Sequence, residues 1–200
     1  MSIVIFDTEY TTWKGCNENG WHGWQEKEVV QIAAARINEK LEVLDELCLF
    51  VKPTINPVLS DYFENLTGIT NAMVQEKGLF YPEAYAKFSE FVGNDVCWSH
   101  GWGSPIENPS DGNIMNHNCE ILNLPVKNIK YKNVAAFFAE MYKKHGIDIK
   151  SQSSGMIARL LGREENLKNL GISEHNAMYD VYSIIEGLRY FSAESKALFE

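Results

Sequence analysis

A chain of 200 residues, 45% hydrophobic and 12% aromatic, suits one globular domain with a sizeable core. Its net charge of −9 argues against a protein that grips long duplex DNA non-specifically, and leaves room for an acidic enzyme whose carboxylates hold metal. No apolar run approaches the roughly 20 residues of a membrane span. No basic leader precedes Ile3, and Cys16, Cys48, Cys97 and Cys119 form no CxxC pair. The expectation is a cytoplasmic protein, not bound to membrane, with neither a zinc site nor a disulfide framework.

The first element carries chemistry. Ile3-Val4-Ile5 leads into Phe6-Asp7-Thr8-Glu9, an apolar run dense enough for a central strand buried on both faces. Strand side chains alternate, so Asp7 and Glu9 point the same way. Two ionised carboxylates ~4 Å apart repel by about 4 kcal/mol at an effective dielectric of about 20. A divalent cation between them would remove that cost; a strand end running out into water would also tolerate them.

Tyr10 to Trp24 reads as a polar, irregular loop broken by Gly15, Gly20 and Gly23. Trp13, Trp21, His22 and Trp24 offer either a stacking platform for bases or aromatics folded back onto the domain. Val29–Ile37 and Leu41–Val51 read as the second and third strands, antiparallel neighbours of the first joined by an Asn38-Glu39-Lys40 turn. Ser60-Asp61 opens a short helix through Leu66, Thr67-Gly68 breaks it, and Thr70 caps a second over Asn71–Lys77. Pro82 starts a helix through Phe91, with Phe88, Phe91 and Val92 inward.

Asp95–Ser99 is the expected fourth strand, Gly101–Ser110 a loop, and Asp111 leads a helix to Leu122. Asp111 projects onto the face of Ile114, Met115 and Asn118. A fifth strand is expected at Asn128–Tyr131, with helices over Asn133–His145, Ser153–Leu161 and about Asn176 to Ser192. This order predicts an α/β three-layer sandwich: one domain, 1–200, built on a five-stranded mixed sheet with helices on both faces.

Asp180 lies at the edge of the last helix's stripe of Ala177, Val181, Ile184 and Leu188. A carboxylate there needs a metal, a capped helix end or a buried arginine. Were His175 helical too, the five residues to Asp180 would turn by about 500°, leaving the two side chains about 140° apart. For both to serve one site, His175 must sit in the loop before the helix. Taken singly, His175 is an ordinary surface histidine and Asp111 an ordinary N-cap.

Together these residues resemble the DEDDh family of 3′-to-5′ exonucleases, which has an RNase H-like fold. The resemblance is carried by Phe6-Asp7-Thr8-Glu9 and by His175-Asn176-Ala177-Met178-Tyr179-Asp180. Phe50-Val51-Lys52-Pro53-Thr54-Ile55-Asn56, Leu59-Ser60-Asp61-Tyr62-Phe63, Leu66-Thr67-Gly68-Ile69-Thr70 and Asp111 to Cys119 resemble the branch of the histone-mRNA 3′ exonuclease and its bacterial relatives. The resemblance implies two divalent cations, Mg²⁺ or Mn²⁺, held by Asp7, Glu9, Asp111 and Asp180, with His175 as general base. It implies single-stranded RNA or DNA 3′ ends as partners, RNA by branch, and nucleoside 5′-monophosphates as products. Tyr10, Thr11 and Ile69 are the implied contacts to the terminal nucleotide.

Two features depart from the family's pattern: an insertion including Gly101 to Pro109 between Trp98 and Asp111, and the tryptophan-rich loop after Glu9. Asp111 is preferred to Asp95 because Asp95 precedes its strand. A DNA exonuclease, or an interaction module on a decayed exonuclease fold, are the competing readings; the presence of all five catalytic residues speaks against decay.

Overall fold

The computed structural model describes residues 1–104, 110–149 and 152–200. Its centre is β1 (Ser2–Tyr10), whose apolar run faces two cores at once. Ile3 and Ile5 point into one core, Val4 and Phe6 into the other. β2 (Val29–Asn38) lies antiparallel to β1, and β3 (Val43–Lys52) antiparallel to β2. β4 (Leu79–Phe80), β5 (Cys97–Ser99) and β6 (Tyr131–Asn133) add parallel pairings, giving a mixed sheet of order β4-β3-β2-β1-β5-β6.

The sheet has six strands, not the expected five. β4 was not legible because two residues carry no alternation; it exists by pairing with Val51 and Lys52. β6 lies a few residues later than expected, at a polar Tyr-Lys-Asn segment held by Cys97, Trp98 and Ser99. There the Asn133 side chain donates to the Gly101 carbonyl and accepts from its N–H, a tertiary reason for a strand that its own residues do not announce. β3 begins at Val43 because Leu41 turns through a left-handed φ of 60°.

Helices cover both faces. On one, α4 (Tyr81–Val92) and α5 (Ser110–Ile121) pack Tyr85, Phe88, Ile114 and Met115 against Val4 and Phe6. On the other, α6 (Ala135–Lys144), α7 (Met156–Leu160) and α8 (Ala177–Tyr190) pack Phe138, Ile157, Val181 and Ile184 against Ile3 and Ile5. α1 (Cys16–Asn19) is a single turn inside the tryptophan-rich loop. α2 (Asp61–Thr67) and α3 (Asn71–Lys77) start at the expected caps, with Ser60 accepting from Phe63 N and Thr70 from Met73 N. α7 is shorter than expected: Ser153 and Ser154 stay outside it. Residues 105–109 of the expected Gly101–Ser110 loop lie outside the described residues. No described helix is long and apolar enough to cross a membrane.

Candidate active site

Strand alternation sends Asp7 and Glu9 to one side of β1, and the register shifts between Glu9 and Tyr10 where β1 meets β2. Such an irregularity bends a strand and re-aims the side chains beside it. Asp180 arrives from the first turn of α8, and Asp7, Glu9 and Asp180 each offer a carboxylate oxygen within 4.8 Å of the others. Asp111, in the first turn of α5, is held next to them by Thr8, whose backbone N–H and hydroxyl donate to its Oδ1 at 3.2 and 2.7 Å. All four carboxylates, Tyr10 and His175 line one cavity of about 240 Å³. Asp95 lies elsewhere, ion-paired with Arg36 and accepting from Ser2.

Histidine 175 sits in the loop before α8 with a left-handed φ of 66°, as the helix arithmetic requires. Asn176 caps the helix, and Gln31 of β2 pins that cap: its Oε1 accepts from Ala177 N at 2.9 Å and its Nε2 donates to Asn176 Oδ1 at 3.4 Å. Gln31 is Glu9's partner across the ladder, so one strand pair sets both halves of the site. Ser154 Oγ lies 2.8 Å from Asp180 Oδ2 and 3.2 Å from Asp7 Oδ1. Gly155 is required here, because a Cβ would come 2.5 Å from Asp180 Oδ1.

The electrostatics are those of crowded, buried acids. Burial first, then the charges of Asp111, Asp180 and Glu9, hold Asp7 well above the usual carboxylate range. Burial and the charges of Asp180 and Asp111 do the same to Glu9. Asp180 is pushed up to about 7, chiefly by burial and against the hydrogen bond from Ser154. Burial raises Asp111 too, opposed by the bonds from Thr8. Among the described residues no Lys or Arg lines the cavity, and Asp180 Oδ1 is buried without a hydrogen-bond partner. An orphaned oxygen, three converging carboxylates and an all-oxygen donor set fit hard divalent cations.

Of the expected nucleotide contacts only Tyr10 lines the cavity. Thr11 is buried, its hydroxyl donating to the Glu26 carbonyl and accepting from Glu28 N at 2.9 Å. Ile69 is fully buried with Val30, Leu59, Phe63 and Val74. Both side chains are turned into the protein. The Lys52-to-Asn56 stretch has a structural use as well: the backbone N–H groups of Thr54, Ile55 and Asn56 donate to the buried Glu28 carboxylate.

Residues 4–188 match the RNase_T family, described as exonuclease. This chain belongs to the exonuclease family. It is 32% identical over 80 residues to the 3′-5′ exonuclease eri1 of Schizosaccharomyces pombe, an alignment covering 39% of this chain and a quarter (25%) of that protein. Its fold matches the nuclease domain of 3′hExo, a DEDDh family member solved with rAMP, at TM-score 0.63 and 21% identity over 96% of this chain and 90% of that one. It also matches Exonuclease I of E. coli in complex with an oligonucleotide, at TM-score 0.65 and 17% identity over 99% of this chain and 41% of that one. The family model thus shows an exonuclease domain, and its fold is shared with the nuclease domain of 3′hExo.

Residues with no mark in the sequence line the cavity or hold the groups that do. Gln31, Ser154 and Gly155 have no local pattern that marks them, since each acts through a partner far along the chain. His100 also lines the cavity, and burial lowers its pKa to about 4, so it is neutral at physiological pH.

Proposed function

We propose that this exonuclease shortens single-stranded nucleic acid, RNA in preference to DNA, from its 3′ end and releases nucleoside 5′-monophosphates. The observation that carries the reading is the convergence of Asp7, Glu9 and Asp180 within 4.8 Å, with Asp180 Oδ1 left without a partner among the described residues. Asp7, Glu9, Asp111 and Asp180 would hold two divalent cations, Mg²⁺ or Mn²⁺. When bound, such cations supply charge for the attacking and leaving oxygens and acidify water.

The chain's own residues do the rest. The four carboxylates, ionised once cations neutralise them, are fixed in place by Thr8, Ser154 and the sheet. His175, in the loop, accepts the proton of the attacking water as general base and is no ligand. Tyr10 flanks the terminal nucleotide; burial and the nearby carboxylates push its phenol up to about 12, so it stays protonated. The preference for RNA rests on the partial likeness to eri1 and the fold shared with the 3′hExo domain. A narrow cavity of about 240 Å³ favours an unstacked terminal nucleotide, hence a single strand. The free cysteines Cys16, Cys48, Cys97 and Cys119 fit work in a reducing compartment such as the cytoplasm.

The test is digestion of matched 5′-labelled single- and double-stranded RNA and DNA with Mg²⁺ and with EDTA. A ladder shortening from the 3′ end, blocked by EDTA and by a 3′-phosphate, is expected. Internal cuts or EDTA-resistant cleavage would contradict the mechanism; faster digestion of DNA would reject only the RNA preference.

A further inference from the structure

Beside the acidic cavity lies a second of about 390 Å³, walled by Trp21, Glu26, Lys27, Asn113, Ile114 and His117. The two adjoin along α5: Ser110 and Asp111 face the first, while Asn113, Ile114 and His117 face the second. At ~1.5 Å rise per residue, Ile114 and His117 lie about 4.5 and 9 Å along the helix from Asp111. They also adjoin at the end of β1, where the Tyr10 ring, part of the first cavity, stands 6.3 Å from the Trp21 ring of the second.

We infer that this second cavity is a subsite for a nucleotide upstream of the scissile bond, taking its base against Trp21 and Ile114 and its phosphate on Lys27. The inference rests on the proposed single-strand activity and adds where the strand goes next. Its separation from Asp111 corresponds to one to three nucleotides at ~3.4 Å per nucleotide of stacked strand. Its lining has what a nucleotide needs. Trp21 and buried Ile114 give apolar surface for a base. The indole N–H of Trp21 is buried without an acceptor among the described residues. Among the described residues Lys27 is the one Lys or Arg lining either cavity; its ammonium lies 4.0 Å from the Trp21 ring centroid, where it can turn to a phosphate. Exposed Asn113 offers an amide to a base edge. Glu26, the acid that would repel a phosphate, is occupied by His117 Nε2 at 3.1 Å.

The platform is built, not adventitious. Asn56 ties down the loop, accepting from Glu26 N at 2.8 Å and donating to the Trp24 carbonyl at 2.9 Å. Gln25 Oε1 accepts from His22 N at 2.8 Å, closing the turn that presents Trp21.

The experiment compares Trp21→Ala, Lys27→Ala and Asn113→Ala with wild type on two probes. One is a single-stranded RNA octamer; the other is the p-nitrophenyl ester of a nucleoside 5′-monophosphate, which has no upstream nucleotide. For Trp21→Ala, KM on the octamer rises about tenfold, from lost base stacking, while kcat and ester turnover hold. For Lys27→Ala, the slope of log KM against log salt falls by about 0.7, one phosphate contact to a single strand. Asn113→Ala, at an exposed position that cannot unfold the domain, raises octamer KM a few-fold. Unchanged octamer KM in all three variants, or ester turnover falling in step with the octamer, overturns the subsite. Wild-type protein that hydrolyses neither probe removes the nuclease reading and this inference together; active wild type with indifferent variants removes this inference alone.

Discussion

The two neighbouring cavities share α5 and the end of β1, yet their linings are opposite in character. Among the described residues, four carboxylates converge on one with no Lys or Arg; the other sets Trp21 and Ile114 beside Lys27. A net charge of −9 spread evenly would repel a polyanion. Four of the 27 acids gathered in one pocket make a place for cations, and under the proposed function attraction for the strand would pass to those cations and to Lys27. Overall charge is thus a poor guide to nucleic-acid handling when the acids are gathered where metal can neutralise them.

Breaking the acidic side should have the largest effect. Asp7→Asn or Asp180→Asn keeps shape but removes a charge worth several kcal/mol of transition-state stabilisation, on the order of 10³-fold or more in kcat. The loss should be equal on the octamer and on the mononucleotide ester, with the circular dichroism spectrum unchanged. Asp111→Ala should behave likewise; wild-type turnover in that variant would show that the mid-chain ligand lies elsewhere.

His175→Ala should cost about 10²–10⁴-fold in single-turnover rate. Octamer affinity measured in Ca²⁺ should hold, because neither cavity's binding groups change. Weakened binding with normal turnover at saturation would make His175 a contact and not a base.

The two cavities also hold contrasting histidines, His117 beside Glu26 and His100 buried. A histidine whose folded pKa is lowered from 6.5 to about 4 costs stability as acid is added. Its contribution is whole above pH 6.5, is lost as pH falls through that window, and loses no more below about 4. The span corresponds to about 3 kcal/mol. His100→Gln should therefore flatten the fall in urea-measured stability between pH 6.5 and 4; an unaltered slope would show that His100 takes up its proton in the folded state.

A smaller effect should separate the cavities by metal. The ionised acids of the first destabilise the metal-free fold, so their contribution is whole below a pH near the ordinary 3.8 of an aspartate. It is lost as pH rises through about 7 for Asp180. Ca²⁺ at 100 times its Kd should add about 2.7 kcal/mol at pH 8, and clearly less at pH 5, where protons compete. Equal thermal shifts at both pH values would mean that the cation binds away from these carboxylates.

Much of the acidic cavity was legible in the sequence because its parts obey local rules. A dense apolar strand and its alternation place Asp7 and Glu9, and helix geometry puts His175 outside α8. Ser60 and Thr70 cap as their spacing suggests. What was not legible depends on residues far apart in the chain. Ser154 was read as helical, yet its use is to meet Asp7 and Asp180. Gln31 looks like one polar residue in a strand until α8 docks on it. Burial of the Thr11 and Ile69 side chains likewise depends on elements distant in the chain. In the tryptophan loop Trp13 packs edge-on to Trp24 at 5.3 Å, while Trp24 stays 61% exposed.

The left-handed backbone at His175 sets folding against work at a single position. For any residue with a Cβ, that conformation costs about 1–2 kcal/mol, and glycine escapes it while losing more freedom on folding. The net gain from glycine at 175 is then up to about 1 kcal/mol, in a protein stripped of its proposed proton acceptor. Laboratory evolution for heat resistance alone would drift away from histidine here and collect sturdier, silent molecules. Keeping the imidazole is a tax on the fold that only turnover can justify.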